Sequence, residues 1–279
     1  MTLQRLLENN RPIIMGILNL TPDSFSDGGS YTEKGRAVHF ALQMVRDGAE
    51  IIDVGGESTR PGSTRVSPEE QLRRVVDTIT SLRRTLPPHI LISIDTTSSV
   101  VAKAAVSAGA SVINDVRSGR DDEKIFEFAA ESKLPLILMH MQGTPQTMQV
   151  APSYEDIINE ITDFLLERCE KAKSYGVLKE NLIIDPGIGF GKTREHNLQI
   201  LANLNKFTVL DYPVLLGASR KKFMGKICGD TEAKDLIGAT CASTGIGVQA
   251  GVRIFRVHDV KENRQAADVA WAIKSNNHT

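Results

Sequence analysis

The chain has 279 residues, 41% hydrophobic and 24% charged, with a formal net charge of −1. That length suffices to bury most of the unfolded surface in one large domain or two small ones, and the near-zero charge gives no global attraction to nucleic acid or to an anionic membrane. No apolar run approaches the ~20 residues of a membrane span, the N-terminus lacks a secretory apolar core, and Cys169, Cys228 and Cys241 are too scattered for a disulfide framework or a Cys-rich zinc site. A cytoplasmic protein is expected.

Residues 1–12 mix polar and apolar side chains and predict a short cover for one end of the fold. Residues 13–18 form an apolar run of strand length that ends at Asn19 and opens into a loop holding Thr21, Pro22, Asp23, Ser24, Ser26 and Asp27. A buried strand that delivers one amide, followed by a polar loop, is how barrel enzymes present a reactive edge. Ser30 with Glu33 reads as a capping box opening a helix to about Asp47. Gly48 stops that helix, residues 50–54 form a second strand, and residues 55–65 are a loop too rich in Gly, Ser, Thr and Pro to be regular. Ser67-Pro68-Glu69-Glu70 starts the next helix with cap, first-turn proline and capping-box Glu. Its stripe Leu72, Val75, Val76, Ile79 and Leu82 has helical spacing.

The alternation continues with strands at 91–95, 111–115, 136–139, 182–185, 214–217 and 253–257. Helices are predicted near 100–107, 122–131, 154–174, 195–205, 233–248 and 261–273. Eight βα units without a linker-like break predict a single α/β domain over residues 1–279. Strands of near-continuous Ile, Val and Leu argue a parallel sheet buried on both faces. The count and the usual ~250 residues fit a (β/α)8 TIM barrel, with a doubly wound open sheet as the alternative.

An internal frame locates the working face. Gly48 to Asp53, Gly109 to Asn114 and Gly251 to Arg256 each run from a helix-ending glycine through a strand to a polar residue five positions on. The strand ends together supply Asn19, Asp53, Asp95, Asn114, Asp115, His140, Asp185, Ser219, Arg220, Lys221, Arg256 and His258. In a barrel, polar groups at the C-terminal ends of different strands converge on one mouth. Asp95, Asn114 and Asp185 suit the donor and acceptor edge of a flat nitrogen heterocycle. Arg60, Arg65, Arg220, Lys221, Lys222, Arg256 and His258 form a basic set suited to an anionic group such as phosphate. Residues 185–193, DPGIGFGKT, mimic nucleotide loops but fail both: Pro186 stands where a Walker A loop needs Gly, and Lys192 where the dinucleotide fingerprint does. Their glycines are expected to let the backbone approach a planar ligand beside Phe190.

At these residues the chain closely resembles the dihydropteroate synthase family from Ile13 to about Lys261. The motifs are MGILNLTPDSFSDGG (15–29), DVGGESTRP (53–61), IDT (94–96), IND (113–115), MHM (139–141), DPG (185–187), GFGK (189–192), SRK (219–221) and RVHD (256–259). The resemblance implies a barrel that joins 6-hydroxymethyl-7,8-dihydropterin diphosphate to p-aminobenzoate, releasing diphosphate, with Mg²⁺, and working as a homodimer on small-molecule substrates. It implies that Asp95, Asn114, Asp185 and Lys221 bind the pterin and that Arg256 stacks on its face. Arg256, His258, Asn19 and Thr59 would surround the diphosphate, with Asn19 also a Mg²⁺ ligand. Phe25, Thr59, Arg60 and Pro61 would close over p-aminobenzoate. The segment from Ser219 through Lys222, where some members have serine, would hold the p-aminobenzoate carboxylate. Two other readings are a pterin-dependent methyltransferase barrel and a non-catalytic pterin-binding protein.

Overall fold

The β-branched and leucine-rich runs become eight parallel strands alternating with helices in the computed structural model, which describes residues 2–20, 33–60 and 62–276. A short helix α1 (Leu3–Glu8) leads into β1 (Ile13–Asn19), α2 (Glu33–Arg46), β2 (Ile51–Gly55) and α3 (Pro68–Thr85). β3 (Leu91–Asp95), α4 (Ser99–Ala108), β4 (Val112–Asp115), α5 (Lys124–Ser132), β5 (Leu136–Met139) and α6 (Ile157–Ser174) follow. The chain then forms β6 (Leu182–Asp185), α7 (Arg194–Ala202), α8 (Leu204–Thr208), β7 (Leu215–Leu216), α9 (Lys222–Ile227), α10 (Ile237–Ala250), β8 (Ile254–Val257) and α11 (Val260–Asn276).

The strands pair in the order β6-β5-β4-β3-β2-β1-β8-β7. A parallel bridge between Ile184 and Val214 joins the two end strands, with the Ile184 N–H donating to the Pro213 carbonyl at 3.0 Å. The sheet therefore closes on itself, and the open doubly wound alternative is set aside. Each strand turns one set of side chains inward and the other toward the helices, since successive residues point to opposite faces. Ile13, Ile51, Leu91, Val112, Ile183 and Ile254 fill the lower interior. Leu3 and Leu6 of α1 pack onto that layer, so the predicted cover is a plug on the N-terminal end. Thr2 caps α1, and Arg253 donates from Nη2 to the Leu7 carbonyl at 2.5 Å. Burying the two leucines contributes about 3–5 kcal/mol as an upper bound.

Helix boundaries follow local chemistry. Ser67 caps α3 by accepting from the Glu70 N–H at 3.4 Å, but the Glu70 carboxylate turns to Arg74 at 2.8 Å and to Arg73 rather than completing a capping box. The stripe of α3 behaves as its spacing requires, with Val75, Ile79 and Leu82 fully buried. The helix expected at 154–174 starts at Ile157 because Asp156 caps it, accepting from the Ile158 and Asn159 N–H groups. The helix expected at 195–205 breaks into α7 and α8 at Asn203, and an unpredicted short helix, α9, forms in the basic stretch after β7. The capping box read at Ser30 lies outside the described residues.

Candidate active site

Strand register sets the level of the barrel mouth. Asn19 lies opposite Gly55, Gly55 opposite Asp95, and Asp95 opposite Asn114. Asp185 lies opposite Met139. Arg256 sits deeper, opposite Met15, and its long side chain reaches across to β2 and β3. Its Nε donates to Asp53 Oδ2 at 2.7 Å and its Nη2 to Asp95 Oδ2 at 2.8 Å. Asn114 Nδ2 donates to the same Asp53 oxygen at 3.2 Å. The three residues picked out by the glycine frame thus form one hydrogen-bonded cluster, and each frame glycine has the positive φ that its helix cap requires.

Burial dominates the electrostatics of this cluster. It pushes the Asp95 carboxyl up to about 7, against the pull of Arg256, with Asp53 adding to the rise. Burial likewise pushes Asp185 up to about 6, while the Gly187 N–H and Lys221 pull it back. The Gly187 bond to Asp185 Oδ1 is 2.7 Å long. Lys221 is pushed down to about 8 by burial and by Arg256, opposed by Asp185 and Asp95. Its ammonium stands 4.0 Å from the centroid of the Phe190 ring, a cation–π contact. Carboxylates and a lysine with strongly shifted protonation, gathered at one barrel mouth, mark a site built to receive charge and hydrogen bonds.

The second cluster joins the ends of β7 and β8. Ser219 Oγ accepts the His258 N–H at 3.1 Å and lies 3.0 Å from His258 Nδ1. The Ser219 hydroxyl thus holds the His258 ring in place through Nδ1 and leaves Nε2 as the other polar edge of the ring. Burial, then Arg256, Arg220 and Arg60, push His258 down to about 3, so it is a neutral ring beside cations. Ser219, expected to help hold p-aminobenzoate, has its hydroxyl engaged here.

The remaining expected residues divide. Asn19 and Thr59 are half-buried, and Arg60 is exposed next to Thr59. Lys222 is exposed on the first turn of α9. Phe25 and Pro61 lie outside the described residues. Two members of the basic set are otherwise engaged: Arg220 makes a two-pronged pair with Asp259 at 2.9 and 2.5 Å, and Arg65 pairs with Asp121 at 3.3 Å. The loop after β2, irregular as expected, is tied down by polar contacts. Glu57 accepts the Val66 N–H at 2.8 Å and Gln71 Nε2 at 3.1 Å, and Gln71 Oε1 accepts the hydroxyl of Thr96, next to Asp95, at 3.0 Å.

Sequence reasoning missed the strut under the glycine loop. Lys192 Nζ, buried, donates to His140 Nδ1 at 2.9 Å and to the Phe190 carbonyl at 3.0 Å. Burial pushes His140 down to about 2 and Lys192 well below its ordinary value, so the imidazole is a neutral acceptor for the Lys192 amine. The loop glycines also serve a purpose other than the expected approach to a ligand. A side chain on Gly187 would collide with the His140 carbonyl, and one on Gly189 would stand 2.9 Å from Lys221 Cδ. The nearest sequence signal was Lys192 following three alternating glycines, which local pattern alone ties to no partner.

Comparison with known proteins agrees with this geometry. A family model described as pterin binding enzyme matches residues 15–258. The dihydropteroate synthase of Synechocystis sp. is 46% identical over 263 residues, covering 94% of this chain and 90% of that one. A Xanthomonas albilineans dihydropteroate synthase solved with 4-aminobenzoic acid is 41% identical with a TM-score of 0.89, covering 95% of this chain and 94% of the other. The same organism's enzyme in complex with 7,8-dihydropteroate is 38% identical with a TM-score of 0.86 at the same coverage. The chain belongs to the dihydropteroate synthase family of pterin-binding enzymes.

Proposed function

We propose that this chain condenses 6-hydroxymethyl-7,8-dihydropterin diphosphate with p-aminobenzoate to 7,8-dihydropteroate, releasing diphosphate. The observation that carries the reading is the convergence of Asp95, Asn114, Asp185, Lys221 and Arg256 on one barrel mouth, in a chain whose relatives were solved with 4-aminobenzoic acid and 7,8-dihydropteroate. Asp95, Asn114 and Asp185 take the polar edge of the pterin, and Lys221 adds a cationic donor. Arg256 lies against the ring and, with Thr59 and neutral His258, faces the diphosphate. The arylamine nitrogen attacks the pterin methylene as its bond to the diphosphate oxygen breaks. The diphosphate leaves with the electron pair, and the arylamine loses a proton to solvent. The cationic character that develops on the pterin is favoured by Asp95 and Asp185. The arylamine is already a neutral nucleophile, so no strong base is needed. Phe25, Thr59, Arg60 and Pro61 take p-aminobenzoate, whose carboxylate meets the Ser219–Lys222 segment.

Asn19 is the proposed Mg²⁺ ligand. Its side chain makes no hydrogen bond among the described residues, and no group of three His, Cys, Asp or Glu there is arranged to hold a metal. One free neutral oxygen at a strand end fits Mg²⁺, which keeps waters and takes its other ligands from phosphate. When bound, the ion would neutralise charge building on the leaving diphosphate. The reading includes a cytoplasmic homodimer acting on small molecules, with neither nucleic acid nor membrane as partner. No described helix is long and apolar enough to cross a membrane. Exposed Ile246, Val269 and Ile273 along α10 and α11 give the second copy an apolar face. Incubation with the pterin diphosphate, p-aminobenzoate and Mg²⁺ should release diphosphate only when all three are present. No release under these conditions would favour the methyltransferase or binding-protein reading instead, and release that does not depend on p-aminobenzoate would overturn the condensation.

A further inference from the structure

We infer that Asp53 is the positioning residue of the pterin pocket, setting through one carboxylate oxygen both the amide of Asn114 and the guanidinium of Arg256. The inference rests on the pterin assignment above, which gives Asp53 itself no role. Asp53 is fully buried on β2, below the level of Asp95, and its Oδ2 accepts from Asn114 Nδ2 at 3.2 Å and Arg256 Nε at 2.7 Å. An asparagine amide has one accepting and one donating end. An ionised carboxylate only accepts, so a flipped Asn114 would set oxygen against oxygen. Asp53 therefore holds Asn114 with its Oδ1 left to accept from a ligand. It also fixes Nε of Arg256, and Asp95 fixes Nη2, so the guanidinium plane is set at two points while Nη1 has no partner among the described residues.

The ion pair with Arg256, rather than the second carboxylate oxygen, explains why the position is an acid. Asp53 Oδ1 is buried without a hydrogen-bond partner, an unfavourable arrangement that a smaller hydroxyl would avoid. A hydroxyl could accept both hydrogen bonds, but it would place no negative charge against the buried guanidinium. Both partners of Asp53 belong to the ligand-facing set, and all three residues occupy the same place in the glycine frame. Asp53 is thus tied to the geometry of the pocket rather than to the packing of the core.

A double-mutant cycle between Asp53→Ala and Asn114→Ala tests this, read as affinity for 6-hydroxymethyl-7,8-dihydropterin diphosphate. Asp53→Ala should weaken binding by roughly tenfold or more, and should cost clearly less on the Asn114→Ala background than in wild type, because the share that acts through the amide is already gone while the share that acts through Arg256 remains. The apparent KM for p-aminobenzoate at saturating pterin should stay unchanged, which a merely structural loss would not spare. If Asp53→Ala does not fold, Asp53→Asn enters the same cycle, with a smaller loss of about threefold and the same non-additivity. The Arg256 Nε–H proton provides a readout without substrate: it should be protected from exchange in wild type and exchange faster in both Asp53 variants, most in Asp53→Ala, since the amide oxygen of Asp53→Asn can still accept. Additive losses, or unchanged exchange at Arg256, overturn the assignment. Failure of the wild type to bind the pterin diphosphate instead overturns the pterin reading, with the exchange readout still deciding on Asp53.

Discussion

Replacing Asp185 by Asn should make the protein more stable and a worse enzyme. The carboxyl is 5% exposed, and burial moves it from its ordinary 3.8 to about 6. A carboxyl that holds its proton more tightly when folded gives stability that is complete below pH 3.8 and lost as pH rises to about 6. At about 1.4 kcal/mol per pH unit, ionising Asp185 in the folded chain opposes folding by roughly 3 kcal/mol at neutral pH. Asparagine keeps an oxygen for the Gly187 N–H and carries no charge to desolvate, so a sizeable part of that penalty should disappear. The pterin loses a charged acceptor in the same step, worth about 1–3 kcal/mol, or roughly 5- to 150-fold in affinity. Thermal melts of the ligand-free protein across pH 4 to 8, with calorimetric titration of the pterin, measure both sides. The variant's Tm advantage should grow between pH 4 and 6 and level off above it. A variant that melts lower than wild type at pH 7 while binding pterin with unchanged affinity would refute the reasoning on both counts.

Other predictions follow from the same geometry. Affinity for a phosphate-free hydroxymethylpterin should rise between pH 6 and 7, as Asp185 and Asp95 ionise, and fall above about 8, as Lys221 loses its proton; a flat profile from pH 6 to 9.5 removes these groups from the contact. Asn19→Ala should shift the Mg²⁺ titration of activity to higher concentration, and an unshifted curve takes Asn19 out of the metal site. Gly187→Ala should cost more than about 2 kcal/mol of stability in urea unfolding, since φ is +70° and the new methyl meets the His140 carbonyl; a loss below 0.5 kcal/mol, on the same scale of about one significant contact, would mean the loop can shift freely.

The barrel was legible because each strand carries its own apolar run and each helix its own stripe, cap or stop. These local signals place Asn19, Asp95, Asn114, Asp185 and Arg256 at strand ends, where the structure finds them. What local pattern does not encode is which polar groups meet across the barrel. Arg220 looked like an anion ligand because its neighbours are basic, yet its partner is Asp259, 39 positions away. Lys192 has no role to read once the nucleotide-loop patterns fail, yet it supports His140, 52 positions away. Asp53 carried the frame signal that flagged Asn114 and Arg256, but its role emerges only when β2, β4 and β8 are curved into one ring. The shortness of β7, two residues long, was also hidden, because its pairing depends on Pro213 and Val214 at the seam rather than on its own hydrophobicity.

The leucine plug of α1 turns the barrel into a well with a floor. With Ile13, Ile51, Leu91, Val112, Ile183 and Ile254 filling the lower interior and Leu3 and Leu6 packed beneath them, every molecule must enter and leave by the same mouth. On the proposed assignment the pterin contacts lie deepest, at Asp53-held Asn114 and Arg256, and the p-aminobenzoate contacts lie on the loops above. A ligand at the bottom of a one-ended shaft cannot pass one seated over it, so the pterin goes in first and the joined product comes out as a single piece. Diphosphate, the smaller fragment at the rim, can depart while the pteroate is still in place. The floor thereby imposes a sequence of events on the reaction that no residue at the mouth could enforce. It should appear as product inhibition by 7,8-dihydropteroate that is competitive with the pterin diphosphate and not relieved by raising p-aminobenzoate.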